Sequence, residues 1–260
     1  ISLAVAAAGK GDEDKIGSGL HKLRDEDPTF SVVVNSETHQ TLVSGLGEQH
    51  LDIIMSKLKA KYGVSVILSD PIVPYRETIK KKIRVEGKHK KQSGGHGQYG
   101  HVHIEFEPGT EEGLEFEEKI FGGSVPKNYI PAVEKGLRDC INEGVLAGYP
   151  MVRLKAILVD GSYHAVDSSE MAFKMAASVA YKKLVDAQPC LLEPIASCKV
   201  IIPDDYMGDI IGDMNKRRGR IMGMTPMAGG KQIVEAEVPM AEMFKYATDL
   251  RSMTQGRGQF

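Results

Sequence analysis

Apolar residues along the chain recur at two spacings, and the changes between them predict the elements. Ile1–Ala8 is a continuous apolar run, the pattern of a strand. Over Asp12–Arg24, Ile16, Leu20 and Leu23 fall on one helical face, and Asp27-Pro28 stops that helix. Phe30–Val34 and Thr41–Ser44 read as strands around a polar turn at Asn35–Glu37. Gly47–Tyr62 is predicted as a second helix, with Leu51, Ile54, Met55 and Leu58 inward and Gly63 ending it. Val64–Leu68 completes the order β-α-β-β-α-β, a split βαβ unit whose strands form one antiparallel sheet with both helices on one face. Asp70-Pro71 and Val73-Pro74 mark a linker.

The last 67 residues repeat this order. Ala196–Ile202 predicts a strand, Tyr206–Arg217 a helix, Arg220–Thr225 and Gln232–Val238 strands around Gly229-Gly230, and Met240–Met253 a helix. The sixth element, a final strand, is expected to be missing at Phe260. The middle, residues 72–193, differs. Strands are predicted over Ile79–Gly87, Gly100–Phe106, Glu115–Ile120 and Met151–Val159, and helices over Asn128–Gly144 and Asp167–Ala187, the second with an Asp167…Glu170 capping box. An exposed turn, Gly161–Asp167, lies before that last helix. The expected fold class is α+β, with two ferredoxin-like domains, 1–71 and 194–260, flanking a central domain, 72–193.

Composition changes this picture little. The 260 residues carry 33 Lys and Arg against 35 Asp and Glu, so nucleic-acid binding would have to rest on local patches. No apolar run approaches 18 residues and no basic-then-apolar leader occurs, so no membrane partner is expected. Three cysteines without CxxC spacing fit a reducing, cytoplasmic setting. The start at Ile1 suggests a piece of a longer protein.

Charge is segregated in the middle domain. Arg76 to His101 holds eight Lys and Arg against Glu77 and Glu86, and His103 to Glu118 holds seven Glu and neither Lys nor Arg. Cross-strand ion pairing accounts for much of this pattern. It accounts less well for Lys88, Lys90 and Lys91, beside a loop of glycines, amides and Tyr99, a composition suited to phosphate contact. Lys216, Arg217, Arg218 and Arg220 form a second basic knot at a predicted helix C-terminus, suited to the helix dipole or to RNA phosphates.

Several motifs exclude themselves. Gly95-His96-Gly97-Gln98-Tyr99-Gly100 is a formal GxGxxG, but a strand follows where a dinucleotide site needs a helix. A kinase would need HRD and DFG strings, and neither occurs. Glycines there also permit close backbone approach. His101 and His103 share a strand face and suggest an independent metal-binding enzyme, but a second metal motif is missing, so neither a metal site nor a catalytic residue is expected. There is no GxxxxGK[ST] and no NKxD, so GTP binding by these residues is not expected. Tyr163 and His164, side by side before a helix N-terminus, suit stacking on irregular RNA and phosphate contact.

HKLRDEDPTF (21–30), SGLGEQHLDII (44–54), KQSGGHGQYGHV (91–102), DGSYHAVDSSEMAFKMA (160–176), IIGDMNKRRGRI (210–221) and AEVPMAEMFKYATDLRSMTQGRG (236–258) make the chain similar to bacterial elongation factor G. The resemblance spans essentially the whole chain and corresponds to the third, fourth and fifth domains of that translational GTPase. It implies for the middle domain an arm with a ribosomal-protein-S5-like domain 2 fold. It implies a monomer that acts in GTP-dependent tRNA–mRNA translocation on the ribosome, contacting 16S and 23S rRNA, small-subunit proteins, tRNA and mRNA. GTP and Mg2+ would belong to a domain outside these residues, leaving no cofactor here. The arm tip would comprise Ser93, Gly94, Gly95, His96, Gly97, Gln98, Tyr99 and Gly100 from one loop, and Gly161, Ser162, Tyr163, His164, Ala165, Val166 and Asp167 from the other. Two departures stand out: His96 replaces an expected Arg and Ala165 an expected Asp. They point toward a paralog acting in ribosome recycling or ribosome protection as the alternative.

Overall fold

A computed structural model describes residues 1–9, 11–92 and 97–260. Ser93, Gly94, Gly95 and His96 therefore lie outside the described residues. The chain forms two compact units: Ile1–Pro74 with Glu193–Phe260, and Tyr75–Leu192.

The first unit contains two sheets. In residues 1–74 the strands β1 (Ser2–Ala7), β2 (Ser31–Val34), β3 (Thr41–Ser44) and β4 (Val66–Ser69) form an antiparallel sheet in the order β2-β3-β1-β4. Helices α1 (Glu13–Glu26) and α2 (Glu48–Tyr62) contribute Ile16, Leu20, Leu23, Leu51, Ile54 and Leu58 to one core with Val5, Phe30 and Val43. Each large side chain buried there stabilises the fold by about 1.5–3 kcal/mol. Helix α2 ends at Gly63, whose φ of 68° suits glycine because a Cβ is strained in the left-handed region.

Residues 193–260 form a second such domain. Strands β11 (Ile195–Pro203), β12 (Arg220–Met227) and β13 (Lys231–Pro239) pair in the order β11-β13-β12, covered by α5 (Met207–Lys216) and α6 (Tyr246–Met253). The expected long last helix begins instead as a 3-10 turn at Met240–Glu242, and α6 starts only at Tyr246. The missing sixth element is represented by one residue. Gln259 exchanges both backbone hydrogen bonds with Ile201, at 2.8 and 2.9 Å, on the edge of β11 that corresponds to the place of β4 beside β1.

The second unit is built on four strands, β6 (Ile83–Lys91), β7 (Gln98–Pro108), β8 (Leu114–Glu118) and β9 (Leu154–Ser162), in the order β6-β7-β9-β8. Only the β8–β9 pairing is parallel among these. Helices α3 (Ile130–Cys140) and α4 (Glu170–Lys182) cover one face, with Val102, Ile104, Phe106, Leu154, Ala156 and Leu158 packed against Val133, Leu137, Phe173, Ala176 and Ala180. Two glycines let α4 approach the sheet closely: a Cβ on Gly87 would sit 2.1 Å from the Ala176 carbonyl oxygen, and one on Gly100 2.3 Å from that of Ala172. The close approach expected of the glycine motif is made by its last residue, Gly100, and by Gly87 on β6.

Several boundaries differ from expectation for physical reasons. Two short strands absent from the sequence reading, β5 (Arg76–Ile79) and β10 (Pro189–Leu192), pair with each other. The last helix of this unit stops at Lys182, continues as a 3-10 segment over Lys183–Ala187, and turns at Gln188 with φ 55° into β10. Helix α3 stops at Cys140 rather than Gly144, because residues 142–150 wrap the buried carboxylate of Glu77, which accepts from the amides of Leu146, Ala147 and Tyr149 at 2.7–3.1 Å. The cap of α4 is Ser169, whose Oγ accepts from the Ala172 amide at 3.2 Å, and not Asp167.

Candidate nucleic-acid interface

The start of β7, from Gly97 to Gly100, and the β9–α4 turn meet at one end of the second unit. Asp167, freed from capping, joins them. Its Oδ1 accepts from the Gly97 amide at 2.9 Å and its backbone oxygen from the Tyr99 amide at 2.8 Å. Ser168 Oγ donates to the Tyr99 carbonyl at 2.9 Å and accepts from the His164 amide at 2.9 Å. The turn is tied internally as well. His164 Nδ1 accepts from the amides of Val166 and Asp167 at 3.3 and 3.2 Å, and Nε2 takes no part in these bonds.

These bonds leave a defined set of groups at the surface. Tyr163, His164, Ala165 and Val166 are exposed, and Asp167 is half-buried. Gly161 and Ser162 belong to β9 rather than to the turn. Gly161 faces the His101 carbonyl so closely that a Cβ would stand 2.4 Å from it. Tyr99 is half-buried; its hydroxyl meets Ser162 Oγ at 2.7 Å, and its ring centroid lies 6.4 Å from that of His164. Gln98 is exposed and its Oε1 lies 2.8 Å from His89 Nε2. The structure thus assembles Gly97–Gly100 with Gly161–Asp167 in one place.

A β-bulge decides which β9 side chains face outward. His103 opposes Asp160 while Ile104 opposes Leu158, so Val159 is the extra residue. Because the side-chain period of a strand is two, this insertion turns Asp160 and Ser162 to the open face. There they join His101 and His103 of β7 and Glu86 and Lys88 of β6. Desolvation, and then the neighbouring His103, hold the His101 imidazole below its ordinary pKa. The hydroxyl of Ser124 and the Gly161 amide hold the Asp160 carboxyl below the usual carboxylate value.

Charge along this open face is graded. Toward the far end, Lys82 bridges Glu105 and Glu107 at 2.8 and 3.2 Å, and Lys155 bridges Glu117 at 2.8 Å. Glu105, Glu107 and Glu117 of the acidic run are thereby paired across strands. Toward the loops, Lys88, Lys90 and Lys91 are exposed and form no ion pair among the described residues. Lys88 Nζ lies 5.9 Å from the Tyr99 ring centroid, within cation–π range.

The second basic knot divides. Arg217 points inward: Nε donates to Asp213 Oδ2 at 2.8 Å, Nη2 to Asp249 Oδ2 at 2.5 Å and Nη1 to the Glu242 carbonyl at 2.6 Å, with its Cζ 5.0 Å from the Tyr246 ring centroid. Its side chain is 13% exposed, which places it in the frame of its domain rather than at a phosphate-facing surface. Arg218, at φ 59°, is exposed but holds Glu193 and Glu242. Lys216 and Arg220 are exposed and carry no ion pair among the described residues. Asp213, four residues before Arg217, is the one acceptor that spacing could suggest; the others come from residues 193, 242 and 249.

Three family models match consecutive segments of the chain: Elongation Factor G, domain III, over residues 1–70; Elongation factor G, domain IV, over 71–187; and Elongation factor G C-terminus, over 190–260. A crystal structure of a protein from Thermus thermophilus is similar over 100% of this chain, with 46% identity and a TM-score of 0.86. The chain spans 39% of the length of that protein. Two split βαβ domains and a four-stranded sheet covered by two helices thus match the third, fourth and C-terminal domains of a translation factor. The chain belongs to the elongation factor G family.

Proposed function

We propose that this chain is the ribosome-binding part of a translational GTPase that promotes GTP-dependent movement of tRNA and mRNA. GTP and Mg2+ bind a domain outside these residues, and the protein works in the cytoplasm as a monomer. The observation that carries this reading is the tip of the second unit. Asp167 and Ser168 tie Gly97 and Tyr99 to the β9–α4 turn, while Tyr163 and His164 stand exposed at the same end as Lys88, Lys90 and Lys91, which form no ion pair among the described residues. A rigid aromatic and imidazole point flanked by cations suits unstacked bases, phosphates and 2′-hydroxyls of the decoding region. Lys88, Lys90, Lys91, Lys216 and Arg220 supply rRNA phosphate contacts, with Arg218 contributing where its carboxylates release it. Among the described residues, no helix is long and apolar enough to cross a membrane.

The uncharged Ala165 at the exposed turn also supports a specialised paralog in recycling or protection. The deciding experiment compares Tyr163→Ala and His164→Ala in the full-length protein, measuring translocation rate and ribosome-stimulated GTP turnover side by side. Slowed tRNA movement with GTP turnover retained is expected. Equal loss of both, or no loss of either, rejects the tip-contact role. Activity confined to subunit splitting favours the recycling reading.

A further inference from the structure

We propose that Glu86, His101 and His103 form a binding site for a zinc-type divalent cation on the open face of the β6-β7-β9-β8 sheet. The three side chains come from adjacent strands, and their ligand atoms all lie within 4.8 Å of one another. Two imidazoles and a carboxylate are the donor set that zinc takes where it keeps open positions, at about 2.0–2.2 Å per ligand. Tetrahedral ligands at such bond lengths stand roughly 3.4 Å apart, so the farther atoms must draw in by up to about 1.4 Å while Glu86 Oε1 and His101 Nε2, at 2.9 Å, open slightly. Glu86, 48% exposed, has the freedom to make them.

His101 carries the argument furthest. Its Nδ1 is engaged by Ser162 Oγ at 2.7 Å, and Ser162 is in turn engaged by the Tyr99 hydroxyl at 2.7 Å. That fixes the ring as an outer partner fixes a metal-binding histidine, with Nε2 as the free nitrogen. Nε2 is buried and lacks a hydrogen-bond partner. Glu86 Oε1 stands only 2.9 Å away, yet the pair does not meet hydrogen-bond geometry. The nitrogen and the carboxylate are thus close enough to share a cation without a hydrogen bond of good geometry between them. His103 flanks the same space, its ring centroid 4.9 Å from that of His101 at an interplanar angle of 67°.

The surrounding charge allows a cation. Asp160, opposite His103 in register, adds a carboxylate that offsets Lys88, which opposes His101. The sequence offers only the His-x-His pair. The third ligand comes from the register Glu86↔His103, and the ordering hydroxyl from the bulge that turns Ser162 outward. A bound cation would cross-link β6 and β7 and present an open coordination position to an oxygen ligand on the face that carries Lys88.

The test is a zinc titration of the chelator-treated chain by calorimetry, with Co2+ absorption as a second readout of nitrogen and oxygen ligation. One equivalent is expected, with visible d–d bands. His103→Ala and Glu86→Gln should each weaken binding at least about tenfold, which is about 1.4 kcal/mol. Ser162→Ala should weaken it by about tenfold through the outer partner. Thermal melts in chelator check that each variant folds, and the exposed position of Glu86 keeps Glu86→Gln informative should His103→Ala disturb the strand. Absence of stoichiometric zinc binding overturns the proposal. So does undiminished binding in a folded Glu86→Gln or His103→Ala chain, which would assign the metal to other groups.

Discussion

Replacing Arg217 tests the division of the second basic knot. Arg217→Ala removes three charge-assisted hydrogen bonds and a cation–π contact. Asp213 is 16% exposed, so its carboxylate would be left in a largely desolvated place. Breaking a buried pair of that kind costs about 3–5 kcal/mol. Asp249 is 47% exposed, so its share is held to about 0.2–1 kcal/mol by solvent screening. Partial water access to Asp213 pulls the first figure down, and a loss of about 3 kcal/mol is expected in total. Arg217→Lys keeps the charge but not the planar fork that reaches Asp213, Asp249 and the Glu242 carbonyl together, so it should recover less than half of that loss. The assay pairs thermal unfolding of the chain with the salt dependence of ribosome binding. Lys216→Ala and Arg220→Ala should leave the melting temperature nearly unchanged and flatten the salt slope, since each phosphate contact releases counterions. Arg217→Ala should do the reverse. Should it melt like the parent chain while flattening the salt slope, the guanidinium contacts phosphate and the reasoning from its burial is wrong.

Gly100→Ala should destabilise the second unit by about 1–3 kcal/mol, because its Cβ would stand 2.3 Å from the Ala172 carbonyl oxygen and α4 would have to shift; thermal unfolding measures it. Glu77→Ala should cost about 3 kcal/mol by stripping the acceptor from three backbone amides, with faster hydrogen exchange at Leu146, Ala147 and Tyr149 as its local signature. The Thr29 hydroxyl and amide, with His50, lower the Asp27 pKa from 3.8 to about 2. Its folded pKa lies below its unfolded one, so the stability it contributes is fully present above about pH 4 and is lost as pH falls through about 2; Asp27→Asn should flatten acid unfolding across that window.

Much of the fold was legible because local chemistry and global packing agree there. The faces of α1 and α2, the stop at Asp27-Pro28, and Gly63 after α2 follow from periodicity and backbone sterics. The repeated split βαβ order follows from element order alone. The tip turn was legible too: it lies between an apolar strand and a helix, so Tyr163 and His164 had nowhere to be buried. Tertiary structure decided what depends on partners distant in sequence. Asp167 was read as a cap because capping chemistry is local, yet it holds Gly97, 70 residues away. Arg217 and Lys216 are neighbours in one basic run; Asp213 at i−4 offers Arg217 a local partner, and Asp249 and Tyr246, distant in sequence, complete its burial while Lys216 stays at the surface. Ion pairing and an unpaired basic stretch are both compatible with the charged hairpin in sequence, and register separates them: Lys82 pairs with Glu105 and Glu107, while Lys88, Lys90 and Lys91 form no ion pair among the described residues. The bulge at Val159 cannot be read from alternation, since one inserted residue reverses the face of every later side chain. That single insertion places Ser162 behind His101.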